Sequence, residues 1–238
     1  MQVGFFDMHC HIIPDVDDGA ATLEEALALL KEEYSQGVRH IILTPHFRRG
    51  MFECDRSYVE RQFERLAAAA APKFPGMSLH LGCEFHANMD MTDLLRKDRR
   101  YRMAGSFYVL TEFSSSHTEA VITERLHTLL SHGYTPIVAH AERYEPVFAK
   151  YDYIESLRKA GVKIQINADT LIGREGWALK RFGKKLIAYD MLDFVGSDTH
   201  DRKGRSCHMS ESAAYLAKRG GEDYAKRILI ENPSDLIR

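Results

Sequence analysis

The feature that most constrains the fold is a regular alternation of short apolar segments with longer helical patterns. The apolar segments have the β-branched and aromatic content of buried parallel strands, and they span residues 3–8, 40–44, 78–85, 107–113, 136–139, 162–167 and 193–197. Helical periodicity is found at residues 23–35, 56–71, 119–131, 151–160, 177–189 and 210–230. This alternation favours a parallel (β/α) barrel of about seven units, although it also fits a doubly wound open sheet.

Local signals support several of the predicted helix ends. Thr22 and Glu25 have the spacing of a capping box, in which each side chain satisfies an exposed backbone N–H at the start of a helix. Gly37, Gly133 and Gly161 follow helical patterns, where glycine readily adopts the left-handed turn that ends a helix.

Composition limits the classes of function. A chain of 238 residues with no internal linker predicts a single domain over residues 1–238. The net charge is −2 with a pI near 6.6, so the basic run RKDRRYR at 96–102 is interpreted as a solvated connection and no nucleic-acid partner is expected. No window approaches the roughly 18 apolar residues of a membrane span, so we expect no membrane insertion and a cytoplasmic location.

The cysteines give a useful exclusion. Cys10, Cys54, Cys83 and Cys207 are too scattered for a metal knuckle or a disulfide framework, so we expect reduced thiols. None is followed by arginine six positions later, so the C-x5-R loop of cysteine-dependent phosphatases is absent.

Metal-binding residue types recur where the predicted strands end. These residues are His9, His11, His46, Glu84, Glu112, His140, Asp198 and His200. In a parallel barrel all the carboxyl ends of the strands open onto one face, which is where such folds carry their chemistry. We therefore expect one cavity to contain the whole set.

The pairs His9/His11 and Asp198/His200 have the i, i+2 spacing that places side chains on the same side of an extended chain. Imidazoles mixed with carboxylates suit Mn, Fe, Zn or Co, and their number indicates more than one ion. Asp18, in the acidic stretch after His11, is a further candidate ligand, although a carboxylate there also suits a helix N-terminus. The other histidines, including His86 and His208, are more often surface or hydrogen-bonded core residues.

Two arginines follow the same strand ends. Arg143 lies three residues after His140, and Arg205 lies in the loop after His200. A guanidinium group binds two phosphoryl oxygens at once, so arginines beside a metal cluster point to phosphate esters. The alternative for Arg143 is an ion pair with a neighbour such as Glu142 or Glu145.

Several motifs, in order, resemble one known family over almost the entire chain. They are DMHCHIIPDVDDGA, ILTPHFRRGMFE, LGCEFH, VLTEFS, VAHAERY, IQINADTLIG, GSDTHDRKGRSCHM and ENPSDLI. The resemblance is to the capsule and exopolysaccharide (CpsB/CapC-like) protein-tyrosine phosphatases of the PHP superfamily.

This resemblance implies a distorted (β/α)7 TIM-like barrel and three divalent ions, most often Mn, with Fe, Zn, Co and Mg as alternatives. It implies hydrolysis of phosphotyrosine on a protein, expected to be a membrane-associated bacterial tyrosine autokinase that controls polysaccharide export. Carried over by motif, the first metal takes His9, His11, Glu84 and Asp198; the second takes Glu84, Glu112 and His140; the third takes Asp18, His46 and His200. Arg143 and Arg205 match the arginines that bind phosphate.

The chain departs from the family pattern at two places, and other functions stay open. Ser206 and Cys207 stand where two prolines are expected, and Phe47 stands where histidine or arginine often follows His46. Both changes are expected to alter the rim of the site. The alternatives are a small-molecule phosphatase such as one acting on histidinol phosphate, an amidohydrolase or nuclease, and a metal-binding module without turnover.

Overall fold

The computed structural model describes residues 4–238, and these residues form a parallel sheet surrounded by helices. The strands are β1 (Phe5–Cys10), β2 (Val38–Leu43), β3 (His46–Phe47), β4 (Ser78–Leu81), β5 (Glu84–His86), β6 (Tyr108–Glu112), β7 (Thr135–Val138), β8 (Lys163–Asn167) and β9 (Phe194–Gly196). The pairing order is β1-β2-β4 in one sheet and β3-β5-β6-β7-β8-β9 in the other, and every pair is parallel.

The two sheets are parts of one barrel. In the described residues this barrel has seven strand positions, here called staves, because β2 with β3 and β4 with β5 each occupy one position. β3 continues β2 after Thr44 and Pro45, and proline cannot donate the hydrogen bond that would keep that strand unbroken. β5 likewise continues β4 after a two-residue gap. The last strand returns to the first, because Asp198 N–H donates to His9 O at 2.8 Å and His11 N–H donates to Thr199 O at 2.8 Å. The predicted distorted (β/α)7 barrel is confirmed.

Helices connect the staves and cover the barrel. They are α1 (Leu23–Ser35), α2 (Arg56–Ala70), α3 (Met91–Lys97), α4 (Glu119–Ser131), α5 (Glu145–Phe148), α6 (Tyr151–Ala160), α7 (Ala168–Ile172), α8 (Trp177–Ala188), α9 (Met209–Gly220), α10 (Glu222–Lys226) and α11 (Asn232–Ser234). The buried core packs the inner face of each helix against the barrel, as Leu29 and Leu30 of α1 and Leu126 and Leu129 of α4 do. None of the described helices is long and apolar enough to cross a membrane.

The predicted helix ends agree with the structure in most cases. Thr22 accepts a hydrogen bond from Glu25 N–H, but Glu25 accepts from Ala21 N–H, one residue earlier than a capping box requires. The prediction of one continuous helix over residues 210–230 is wrong. The segment breaks at Gly221, whose φ of 94° lies outside the helical region, and it ends in a π-helical turn at residues 227–231.

Candidate metal centre

A single buried carboxylate lies at the centre of the predicted ligands. Glu84 directs Oε1 to His140 Nε2 at 2.7 Å. Its other oxygen, Oε2, lies 2.9 Å from His46 Nδ1, 3.2 Å from His11 Nε2 and 3.3 Å from His9 Nε2. Four imidazoles from three different staves therefore surround one carboxylate, because the ends of these parallel staves meet at the same mouth of the barrel.

The end of β1 presents His9, and the chain just after the strand presents His11, to this centre. The Nε2 atoms of His9 and His11 lie 3.3 Å apart, as the period-two spacing predicts. Cys10, between them, faces the other way and is fully buried, with Sγ 3.9 Å from Ile42 O. Burial raises the pKa of the Cys10 thiol well above its usual value, so this sulfur is not a thiolate ligand or nucleophile.

The acidic stretch after His11 forms the outer wall of the site. Asp18 Oδ1 lies 3.4 Å from His46 Nε2 and 3.4 Å from His200 Nε2. The loop approaches β1 closely because Gly19 has no side chain, and a Cβ there would come within 1.9 Å of His11 O. Asp18 thus lies beside the histidines, where the sequence predicted it.

The ligand atoms gather into three groups, each with its atoms within 4.8 Å of one another. The groups are His9, His11 and Glu84; His46, Glu84 and Glu112; and His11, Asp18, His46 and His200. Glu112 therefore lies in the same group as His46. The family motifs instead assign Glu112 to one metal together with His140. The reason is that Glu84 turns one oxygen to His140 and the other to His46, whose Nδ1 lies 4.0 Å from Glu112 Oε2.

Asp198 completes the inner side of the cluster. Its Oδ1 atom lies 3.5 Å from His9 Nε2 and 3.6 Å from His11 Nε2. Asp198 and His140 both have positive φ, 55° and 29°, which is uncommon for residues other than glycine. This backbone strain at two strand ends is typical of positions whose side chains are held for function.

The electrostatics of the cluster favour positive charge at its centre. Burial lowers the pKa of His9 and His46, but the Glu84 charge, joined by Asp198 at His9 and by Asp17 at His46, outweighs it and raises both to about 9. Burial likewise opposes ionisation of Glu84, yet the histidine charges bring its pKa well below the usual value.

Three buried atoms at the centre of the cluster also have no hydrogen-bond partner in the described part of the protein. Glu84 Oε2, His46 Nδ1 and His200 Nε2 are buried and make no hydrogen bond of acceptable geometry. Buried polar atoms are normally satisfied, so these orphaned donor and acceptor atoms need a ligand. A set of nitrogen and carboxylate donors around a negatively charged centre fits divalent cations.

Residues outside the predicted set orient the histidines. Asp17 Oδ2 lies 2.7 Å from His11 Nδ1, and Gln165 Oε1 lies 3.2 Å from His9 Nδ1. Tyr144 Oη lies 3.0 Å from His140 Nδ1. Metal-binding histidines commonly have their second nitrogen fixed in this way. Only Asp17 had a sequence signal, as a neighbour of Asp18, whereas Gln165 and Tyr144 become visible only in three dimensions.

The two predicted arginines converge on one carboxylate at the edge of the cluster. Arg143 Nη2 lies 2.7 Å from Asp198 Oδ2, and Arg205 Nη2 lies 3.3 Å from Asp198 Oδ1. Both side chains line a cavity of about 350 Å³ beside Asp198. Of the two alternative partners of Arg143, Glu142 forms no ion pair with it, because the buried Glu142 carboxylate accepts hydrogen bonds from Asn167 N–H and Thr170 Oγ1. The side chain of Glu145 lies outside the described part of the structure.

Two expectations about the rim are wrong. Phe47 is buried, and its ring packs against Phe85 and Tyr101 at centroid distances of 5.1 and 4.8 Å, because it alternates inward from His46. Ser206 and Cys207 are buried as well. These departures from the family pattern change the core and not the surface that a substrate meets.

His86 and His208 lie outside the ligand groups. His86 Nε2 lies 3.0 Å from Ser114 Oγ, and its Nδ1 lies 3.1 Å from Asn88 Oδ1. His208 Nδ1 lies 2.8 Å from Asp169 Oδ1. His86 therefore has two hydrogen-bond partners, in agreement with its interpretation as a structural histidine, whereas the His208 contact with Asp169 is an ion pair without hydrogen-bond geometry.

Comparison with known proteins identifies the family. The model of the capsular polysaccharide synthesis family CpsB/CapC matches residues 5–238. The chain belongs to the CpsB/CapC family. The tyrosine-protein phosphatase CpsB of Streptococcus agalactiae is 31% identical over 237 residues, covering 98% of each chain.

Solved structures agree with this assignment. A structure from work on YwqE of Bacillus subtilis and CpsB of Streptococcus pneumoniae, described there as unique metal-dependent tyrosine phosphatases, superposes with a TM-score of 0.89 at 28% identity and covers 98% of this CpsB/CapC chain and 94% of that one. The phosphotriesterase from Mycobacterium tuberculosis, at 12% identity and a TM-score of 0.65 over 99% of this chain and 94% of that one, shares the fold.

Proposed function

We propose that this CpsB/CapC protein is a metal-dependent protein-tyrosine phosphatase, and that residues 1–238 act as one domain. The observation that carries the proposal is the position of Arg143 and Arg205 on both oxygens of Asp198, at the edge of a cluster suited to divalent cations. A phosphoryl group needs this combination of cations and guanidinium groups around its oxygens. The family relatives named tyrosine-protein phosphatases support the same activity.

We propose three divalent ions, with Mn as the first candidate and Fe, Zn, Co and Mg as alternatives. The proposed ligands are those of the motif assignment, namely His9, His11, Asp18, His46, Glu84, Glu112, His140, Asp198 and His200. When bound, such ions act as Lewis acids toward phosphoryl oxygens and lower the pKa of water toward neutrality.

The chain's own groups bind and orient the substrate. Arg143 and Arg205 hold the phosphoryl oxygens, and the side chains of both are partly exposed to the cavity, at 37% and 39%. In the overall reaction the bond between phosphorus and the tyrosine oxygen breaks, the water oxygen bonds to phosphorus, and the products are tyrosine and inorganic phosphate. Tyrosine, whose oxygen has a pKa near 10, leaves without needing a strong general acid.

A cysteine nucleophile does not fit this structure. Burial raises the pKa of the Cys83 thiol to about 12 and that of Cys207 well above its usual value. A nucleophilic cysteine needs the opposite shift, to a thiolate near neutral pH. Hydrolysis by a covalent phosphocysteine route is therefore disfavoured.

The protein substrate is proposed to be a tyrosine autokinase that governs capsule or exopolysaccharide synthesis. The test is phosphate release from a phosphotyrosine peptide, a phosphoserine peptide of the same sequence and histidinol phosphate. We expect turnover of the phosphotyrosine peptide in clear excess over the other two. Preferential turnover of histidinol phosphate would make the protein a small-molecule phosphatase, and no turnover of any phosphomonoester by metal-loaded protein would make it a binding module.

A further inference from the structure

A second groove is lined by residues that follow closely in sequence on those of the site cavity, and its lining is basic and aromatic. Arg174 and Glu175 line the site cavity, and Trp177, only two residues further along the chain, lines the groove. The groove has a volume of about 450 Å³ and lies between α8 and α9. We call it the basic groove, and its lining residues are Trp177, Lys180, Arg181, Lys184, Tyr215 and Arg219.

The cations of the basic groove have no anionic partner within the protein. Among the side chains described in residues 4–238, none of those of Lys180, Arg181, Lys184 and Arg219 forms an ion pair. Arg181, Lys184 and Arg219 are exposed, in a chain whose net charge is −2. Four unpaired cations in one concave surface produce a positive potential that attracts an anionic ligand.

Aromatic rings hold the cations in place. Lys180 Nζ and the Arg219 guanidinium each lie 5.4 Å from the centre of the Tyr215 ring, and the Arg181 guanidinium lies 5.6 Å from the centre of the Trp177 ring. Lys180 also donates to Ile172 O at 2.9 Å, which ties the groove to the loop that carries Arg174. The groove is therefore an organised surface and not a set of free lysine side chains.

We propose that the basic groove binds acidic residues that flank the phosphotyrosine of the protein substrate. This inference rests on the proposed function, because it specifies the sequence around the residue to be hydrolysed. An extended peptide advances about 3.3 Å per residue, so a chain leaving the cavity past Arg174 reaches the groove within a short segment. Carboxylates in that segment complement the unpaired Lys and Arg side chains, and the concave shape between two helices suits a peptide better than a flat lipid surface.

The test compares two phosphotyrosine peptides of equal length, one flanked by Asp and Glu and the other by Asn and Gln. The groove variant is Arg181→Gln/Lys184→Gln/Arg219→Gln. The matched control, Lys31→Gln/Arg61→Gln/Lys73→Gln, removes the same charge from exposed positions on α1, α2 and the segment after α2. At low salt we expect the wild-type protein and the control to have a kcat/KM about tenfold higher for the acidic peptide, the size expected from several exposed charge contacts. The groove variant should lose this preference and keep its turnover of p-nitrophenyl phosphate.

Binding is measured separately from turnover with Trp177, the only tryptophan of the chain, whose side chain is 72% exposed at the edge of the groove. The unphosphorylated acidic peptide should change its fluorescence in a salt-dependent way, and the neutral peptide should not. Equal kcat/KM for both peptides with an unchanged fluorescence would overturn the proposal. So would a response to vesicles of anionic lipid but not to the acidic peptide. A fluorescence response without hydrolysis of either phosphopeptide would support the groove while refuting the proposed phosphatase activity.

Discussion

Asp17 Oδ2 lies 2.7 Å from His11 Nδ1, and this contact leaves His11 Nε2 directed at Glu84 Oε2, 3.2 Å away. Asp17 also accepts hydrogen bonds from the backbone N–H groups of Gly19 and His46, at 3.0 Å each. One carboxylate therefore fixes the tautomer of a proposed ligand and ties the acidic loop to the start of β3.

Replacing Asp17 should weaken metal binding without removing a proposed ligand. Asp17→Asn is expected to lower metal affinity by about 10- to 100-fold, as loss of an orienting partner of a ligating histidine commonly does. Isothermal titration of the chelated protein with Mn measures this change. Asp15→Asn is the matched control, since Asp15 accepts from Tyr58 Oη at 2.6 Å and, among residues 4–238, its carboxylate forms no hydrogen bond or ion pair with a histidine. Equal affinities of the two variants would contradict the role given to Asp17.

The stability of metal-free protein should fall as the pH rises from 7 to 9. The folded chain holds protons on His9 and His46 up to a pKa of about 9, whereas unfolded histidine loses its proton near 6.5. The folded state therefore binds more protons across this window, and the stabilisation present below pH 6.5 is lost as the pH passes 9. Urea unfolding in the presence of a chelator should show a loss on the order of a few kcal/mol. A free energy of unfolding that is constant or rises over this range would be inconsistent with the charge state assigned to the cluster.

Arg205 is expected to contribute to binding and turnover of the substrate and not to the stability of the fold. Arg205→Ala is expected to lower kcat/KM for a phosphotyrosine peptide by about 100-fold, because a charge-assisted contact to the phosphoryl group is lost. Arg202→Ala, in the same loop and exposed, is the control and should leave kcat/KM unchanged. If both variants behave alike, the guanidinium of Arg205 does not bind the phosphoryl group.

Glu142 should stabilise the edge of the site through hydrogen bonds. Its carboxylate accepts from Asn167 N–H at 2.8 Å and from Thr170 Oγ1 at 2.9 Å, and Asn167 in turn donates to Asp198. Burial, with a smaller effect of the Glu175 charge, raises the pKa of Glu142 to about 7. Glu142→Ala is expected to cost about 2 kcal/mol in urea unfolding because it leaves these donors unsatisfied, whereas Glu142→Gln retains an acceptor and should cost less. A larger loss for the glutamine variant would contradict this account.

The sequence was sufficient to predict which residues meet, because two simple regularities apply. Strand ends of a parallel barrel converge, and side chains two apart on a strand share a face, so His9, His11 and Glu84 could be assigned to one cavity without coordinates. The direction of each side chain at the centre could not be predicted. Whether Glu112 gathers with His46 or His140 depends on how Glu84 divides its two oxygens, and spacing carries no information about that choice.

The same limit applies to residues whose positions depend on long-range contacts. Gln165 lies two positions before the end of β8 and contacts His9 across 156 residues of sequence, which no local pattern encodes. The position of Phe47 directly after a ligand suggests the rim, yet strand alternation turns its side chain into the core. Local periodicity therefore predicts alternating parallel strands and helices and most of the donor set, the family resemblance selects the barrel, and long-range contacts determine the support around the donors.

The most direct test of the central claim is turnover of a phosphotyrosine peptide by protein stripped with a chelator and then titrated with Mn, Co, Zn or Mg. The account predicts that chelation abolishes phosphate release, that Mn restores it, and that His9→Ala protein cannot be restored by any of the four ions. Full activity after verified removal of metal, or in the His9→Ala variant, would contradict metal-dependent hydrolysis at this site.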